Sequence, residues 1–415
     1  MNPLVNIIIW SVYVISLFFA IFWFLVFIDK GVPAEARKKL KSLPKVSIAI
    51  PVYNREKSVA LTIDSALSLN YPKEKLEIIV VNHGSSDKSR EIIEKYREKV
   101  KIVSISRKAG ERKGRPMNIA LNMASGEFFV CLDADSVATK NALIEMLPHF
   151  EDKSVGCVLP SMKVYSPKNF WHKMQRAEYL VNMFYKRLMG HINCIHVAPG
   201  PFSVFRTDVL RKIGGYDETN LTEDLELTYN LQKNHYRIIQ LLDTEVFTIA
   251  PNTFKEIYEQ RNRWFKGALI NTIKYKEMIF NKKYGDFGFV QLPTVIISGF
   301  LAIALLLTTV YYALKPHIQF LYDMRFINFD FWTIIRNISI NFNIFDINYA
   351  LVLSGIITFT ISLVVLVKSH QHNREKALRF GFIPLAAFFM YYYVIMGFAW
   401  LGVAIDFITG KHRTW

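Results

Sequence analysis

Cysteine is scarce in this chain. Three in 415 residues (Cys131, Cys157 and Cys194), none of them in a C-x-x-C pair, exclude a disulfide framework and a structural zinc site of the usual kind. Acidic charge is short as well: 35 Asp and Glu against 51 Lys and Arg leave a net charge of +16. A basic, apolar, aromatic-rich chain implies either a nucleic-acid binder or a protein held at an anionic membrane surface. There is no P-loop, because Gly110-Glu111-Arg112-Lys113-Gly114 lacks the longer glycine spacing and the Lys-Ser/Thr step. With 51% hydrophobic residues, 14% aromatics and a mean hydropathy of +0.18, disorder is excluded as the general state.

What the chain does have is long charge-free blocks. Residues 5–28 carry no charge and would reach about 36 Å as a helix, enough for a bilayer core of about 30 Å. Residues 287–314, 347–367 and 380–405 are three more such blocks. Pro293 and Pro384 lie near their helix starts, where proline is tolerated. Buried core helices rarely run so long without a charge, so four spans are expected, the second and fourth broken or tilted. The first block has no basic residues before it and no small-residue cleavage site after it, and reads as an anchor rather than a secretion signal.

Orientation follows from the flanks. Residues 29–45 hold Lys30, Arg37, Lys38, Lys39, Lys41 and Lys45 against Asp29 and Glu35, and residues 368–379 hold Lys368, Arg374, Lys376 and Arg379 against Glu375. Residues 315–346 balance Lys315, Arg325 and Arg336 with Asp323, Asp330 and Asp346. The positive-inside rule makes the two basic flanks cytoplasmic and the balanced loop external. The expected layout is an anchor over 1–29, a cytoplasmic domain over 45–286, and three transmembrane helices over 287–408 with an outer loop at 315–346. This makes it a multi-pass protein of the cell membrane. Four spans leave Lys411 and Arg413 outside, against the rule.

Between the spans, apolar runs of strand type (46–52, 76–81, 100–105, 128–132) alternate with helix-like stretches (59–69, 89–97, 117–123). Such alternation predicts an α/β domain, a parallel sheet with helices on both faces. Ligands of such sheets lie beyond the carboxyl ends of the strands. Three strand ends there are polar: Pro51-Val52-Tyr53-Asn54, the run from Asn82 through His83 to Asp87, and Asp133-Ala134-Asp135-Ser136. Asp133 and Asp135, one residue apart, offer hard oxygen ligands suited to Mg²⁺ or Mn²⁺. The plain alternative is a turn with a helix-capping aspartate. Further on, Thr222-Glu223-Asp224 opens a helix-like stretch, where negative charge is favoured. Gln260-Arg261-Asn262-Arg263-Trp264 lies in a basic, aromatic stretch that would otherwise serve as an interfacial anchor. Residues 171–191 read as an amphipathic helix at the membrane surface or on the acceptor side of the domain. His191 and His196, flanking Cys194, read as core or interface packing.

Together, D-x-D at a strand end, T-E-D about 90 residues later and Q-x-x-R-W about 40 beyond resemble the membrane-bound family-two glycosyltransferases, such as cellulose, hyaluronan and chitin oligosaccharide synthases. One span before the domain and three after resembles the nodulation-type synthases. The resemblance implies a GT-A-type mixed, mainly parallel sheet joined to a transmembrane bundle. It implies an inverting enzyme that moves a sugar from a UDP-linked donor onto a growing β-linked glycan, with Asp224 as general base. It implies donor contacts from Tyr53, Asn82, Lys113, Asp133, Asp135 and Arg263, with the metal on Asp133 and Asp135. Glu223, Gln260 and Trp264 would face the acceptor. Where relatives carry two aspartates before Gly-Ser, this chain has Asn82 and His83, which leaves the nucleotide base open. Membrane lipids and a glycan or lipid-linked acceptor are the expected partners, and nucleic acid is not. A secretion channel built from four spans would draw on the outer loop or on a second protomer, as in a homo-oligomer. A glycolipid synthase resembling ceramide glucosyltransferase is the alternative, and a non-enzymatic assembly subunit is disfavoured by the intact acids and Arg263.

Overall fold

The computed structural model describes residues 3–32, 42–327 and 348–410. Arg37, Lys38, Lys39 and Lys41 of the first basic flank lie outside these residues, as do Asn328, Asp330, Arg336, Asp346, Lys411 and Arg413. Eight strands form one sheet: β1 (Val46–Val52), β2 (Leu76–His83), β3 (Lys101–Ile105), β4 (Phe128–Leu132), β5 (Ser136–Ala138), β6 (Val155–Val164), β7 (Pro201–Arg206) and β8 (Arg237–Thr248). Their spatial order is β3-β2-β1-β4-β7-β6-β8-β5. The half from β3 to β4 is parallel. β7 then enters antiparallel to both β4 and β6, β6 pairs parallel with β8, and β5 closes the far edge antiparallel. The sheet is therefore mixed.

The helices of this domain are α2 (Val59–Leu67), α3 (Ser89–Glu94), α4 (Gly114–Met123), α5 (Ala142–Met146), α6 (Phe170–His191), α7 (Thr207–Lys212), α8 (Glu223–Lys233) and α9 (Phe254–Lys274), and α1 (Pro3–Lys30) precedes them. Alternation along the strands sends Ile48, Ile50, Ile78, Val80 and Val130 into a core with α2, α3 and α5. Ala49, Ile79, Val81, Phe129 and Cys131 face the other way, against α4, α7 and α8. A sheet covered on both faces needs apolar residues at every position of its central strands, which is why these runs read as continuous rather than alternating. All three cysteines are buried and free.

The remaining helices are α10 (Leu292–Met324), α11 (Tyr349–His372) and α12 (Phe382–Thr409). With α1 they make four helices long and apolar enough to cross a membrane by length and composition. Pro293 and Pro384 do fall in first turns. The helix does not stop where the outer loop was expected to begin, at residue 315: α10 continues through Lys315 and Pro316 to Met324. Charge ended the apolar run there without ending the helix. α6 is no free surface helix: it lies between the sheet and the long helices, with Met183, Phe184 and Leu188 packed on Trp23, Ile361 and Val365.

Candidate active site

The parallel strands deliver their carboxyl ends to one edge. A bulge between Cys131 and Leu132, where β4 meets β7, re-aims the chain just before Asp133. The Ser136 amide donates to the Asp133 carbonyl at 2.9 Å and closes the D-A-D-S turn. Gly200, just before β7, sits against the Asp133 carboxylate where any β-carbon would collide with it.

Lys113 opens α4 and points into the same edge. Its Nζ lies 2.5 Å from Asp133 Oδ1 and 3.3 Å from Glu223 Oε1. One ammonium thus joins motifs separated by 90 residues of chain. Burial works against that cation, yet the charges of Asp133, Glu223 and Asp224 hold its pKa well above the ordinary lysine value. Burial raises the Asp135 carboxyl, and the neighbouring Asp133 charge raises it further. Arg55 Nε stands 3.4 Å from Asp135 Oδ2. Two oxygen-only carboxylates that repel each other at a strand end suit a hard divalent cation, so this pair fits the ion expected from the sequence. Among the described residues no group of three or more His, Cys, Asp or Glu could hold a metal.

Asp224 lies in the first turn of α8. Its carboxyl is pushed up to about 6, first by burial and then by the Glu223 charge, against the pull of Lys113 and Arg263. The T-E-D turn is tied to α9. The side-chain amides of Asn220 and Asn271 bond reciprocally at 2.8 and 3.2 Å, and Asn271 Nδ2 donates to Thr222 Oγ1 at 3.1 Å. Gly267 provides the room for Thr222. These contacts bring the helix of Gln260, Arg263 and Trp264 against the acids.

Tyr53 and Asn82 lie further along the edge. The loops after β1 and β2 are laced together, with Asn54 Oδ1 accepting from the Ser86 amide at 2.9 Å and the Asn54 amide donating to Ser85 Oγ at 3.1 Å, while Asn82 Oδ1 accepts from the Ser85 amide at 3.2 Å within its own loop. His83 is buried with Glu111 3.2 Å away, and burial lowers its pKa. Tyr53 is exposed, and the Arg107 guanidinium lies 3.9 Å from its ring centroid.

Sequence reasoning passed over several cations. Arg55 follows β1 and Arg107 follows β3, so the rule of inspecting strand ends would have reached both. Burial and the charges of Arg107 and Arg263 depress the pKa of Arg112. On α6, burial brings the Lys186 ammonium down to about 8 despite the opposing charge of Asp224. Arg261, inside the Q-R-N-R-W run, is buried. It bonds both Glu178 oxygens at 2.8 and 2.7 Å, and lies 4.2 Å over the Trp264 ring. One face of Trp264 is therefore occupied, and a sugar would have to take the other. Gln260 Oε1 accepts from Arg261 rather than standing free. His196 is half-buried, and its pKa is pushed down to about 3 by desolvation and then by the Lys186 charge.

An α/β sheet of this order, with acids and cations gathered at its carboxyl edge, defines a GT-A-type domain. Residues 47–214 match the family described as Glycosyl transferase family 2, and four of the described helices are long and apolar enough to cross a membrane. It is 28% identical over 258 residues to the beta-monoglucosyldiacylglycerol synthase of Trichormus variabilis, covering 61% of this chain and 55% of that one. It is 26% identical over 262 residues to the poly-beta-1,6-N-acetyl-D-glucosamine synthase of Staphylococcus aureus, covering 60% and 63%. The match thus spans little more than half the length of these relatives. The mannosyltransferase PcManGT from Pyrobaculum calidifontis, solved in complex with GDP-Man and Mn2+, shares the fold. Its TM-score is 0.62 at 16% identity, over 97% of this chain and 99% of that one.

Proposed function

We propose that this protein is a membrane glycosyltransferase that moves a hexosyl or N-acetylhexosaminyl unit from a nucleotide-diphosphate sugar, UDP-linked, to an acceptor hydroxyl with inversion. The observation that carries the reading is the meeting of Lys113 with Asp133 and Glu223, beside Asp224 and Arg263. Acids from two remote motifs and cations from two others share one edge of the sheet. A helix cap or an interfacial anchor would need no such convergence.

Asp133 and Asp135 would hold Mg²⁺ or Mn²⁺, which supplies charge neutralisation for the departing diphosphate. Lys113 and Arg263 bind the diphosphate oxygens and stabilise the negative charge that grows as the anomeric C–O bond breaks. The Asp224 carboxylate takes the acceptor proton. The acceptor oxygen bonds the anomeric carbon from the face opposite the leaving nucleoside diphosphate. Tyr53 offers an exposed ring for the base, with Asn82 beside it. Glu223, Gln260 and the free face of Trp264 line the acceptor side.

The acceptor is a growing β-linked glycan at the membrane, a reading supported by the similarity to the poly-N-acetylglucosamine synthase. Similarity to the glucosyldiacylglycerol synthase supports a second reading, in which one sugar is added to a lipid. Residues 45–286 would be the catalytic unit on the cytoplasmic side. Donor screening on purified protein, reading released nucleoside diphosphate and product length, tests both readings. Repeated addition supports the first and a single addition the second. No turnover with any sugar donor rejects both.

A further inference from the structure

Five Lys and Arg side chains are buried among the described residues: Lys163, Arg176, Lys186, Arg261 and Lys266. Four of them have a carboxylate partner. Lys163 and Arg176 share Glu375, Arg261 is held by Glu178, and Lys266 lies 3.2 Å from Asp406. Lys186 is the exception. It is 8% exposed, and among the described residues no carboxylate pairs with its ammonium. A buried cation without a partner is unfavourable until an anion meets it.

The place of Lys186 in α6 shows where such an anion would enter. Glu178, Asn182 and Lys186 recur every four residues and so lie along one side of the helix. At the first, Glu178 grips Arg261, which lies over Trp264. One turn on, Asn182 donates to Glu178 at 3.4 Å and is exposed, although Met183 and Phe184 beside it are buried. The side of α6 that faces α9 is therefore open at that turn. One turn further, about 12 Å along the axis from Glu178, Lys186 is reached by the charge of Asp224. The stripe thus leads from the Trp264 end of the site to the base. Of the acids in the site it is Asp224, rather than the Asp133 and Asp135 pair, that acts on Lys186. This cation stands on the acceptor side and not with the diphosphate.

The other groups within reach of the ammonium carry no charge. Burial holds the Cys157 thiol neutral by raising its pKa. His196, in the loop after α6, is held neutral by desolvation and by Lys186 itself, and its Nδ1 is buried without a hydrogen-bond partner. A neutral imidazole adds one N–H donor beside the ammonium.

We propose that Lys186 selects an anionic acceptor: its ammonium receives a phosphate or carboxylate carried by the acceptor, while Asp224 takes the proton of a nearby hydroxyl. A neutral glycan or glyceride would leave the ammonium buried and unpaired in the complex, and that difference is the discrimination. The inference rests on the sugar-transfer reading of the site and adds the chemical class of its acceptor. The phosphate of a lipid headgroup and the uronate of a glycan share this chemistry.

The full chain in detergent, supplied with UDP-glucose or UDP-N-acetylglucosamine, tests it with two pairs of acceptors. Phosphatidylglycerol is set against diacylglycerol, and a β-linked oligosaccharide ending in glucuronate against one ending in N-acetylglucosamine. In at least one pair the anion is expected to exceed its neutral counterpart in kcat/KM by roughly 10- to 150-fold, the value of one hydrogen bond to a charged group. Which pair shows the preference tells the lipid source from the glycan source. Lys186→Met should bring that ratio close to one through the acceptor KM, with the donor Kd kept. Lys186→Arg, which preserves the charge, should retain most of the preference. Turnover that favours the anion in neither pair, donor hydrolysis without transfer included, would overturn the anionic acceptor and leave the sugar-transfer reading standing. So would a preference unchanged in Lys186→Met. A chain that neither transfers nor hydrolyses either donor would overturn the sugar-transfer reading, and this inference with it.

Discussion

Lys113 Nζ lies 2.5 Å from the Asp133 carboxylate, which on the proposed reading sets a protein cation where a diphosphate and its counter-ion would meet. Both partners are only partly exposed, and charge-assisted bonds at such sites are the strong ones.

Lys113→Met should therefore weaken donor binding more than it harms the fold. Loss of a hydrogen bond to a charged group costs about 1.5–3 kcal/mol, so a rise in donor Kd of roughly 10- to 150-fold is expected. Calorimetric titration of donor onto the variant measures it, and unchanged affinity would remove Lys113 from the donor site.

Chelation addresses the D-A-D-S turn. Excess EDTA should abolish transfer and added Mg²⁺ or Mn²⁺ restore it, while Asp135→Asn should raise the metal concentration needed for half-maximal rate. Full activity in chelator would mean that Asp133 and Asp135 only shape the turn.

Asp224 should impose a pH profile. Its pKa is raised to about 6, and the base must be ionised to accept a proton. The value of kcat/KM is then flat above about 6 and drops tenfold per pH unit below it. Asp224→Asn should lose about 10²–10⁴ in kcat with donor affinity kept. A variant with near-normal transfer would take the general base elsewhere.

Trp264→Ala should shorten products or raise the acceptor KM, while hydrolysis of donor by water persists. Arg261, on the other face of the ring, is predicted to act on stability. Removing one partner of its buried pair with Glu178 costs about 3–5 kcal/mol, so Arg261→Met should lower the melting temperature markedly. Combining it with Glu178→Gln, which removes the stranded charge, should recover part of that loss. A single variant that melts like the parent would show that the pair contributes nothing.

Much of this protein was legible in its sequence. The apolar runs marked β4 at Phe128–Leu132 to the residue, because a strand buried on both faces leaves no polar position to blur its ends. Asp133, Asp135 and Asp224 could be found because strand ends and helix starts are where chain geometry exposes charge. The four long helices followed from length and composition. Tertiary structure decided what depends on elements remote in the chain. Only packing could insert β7 antiparallel between β4 and β6, since periodicity carries no strand direction. Only packing could bring Lys113 to Glu223, or seat Arg261 on Glu178, since no local pattern encodes a partner 80 or more residues away.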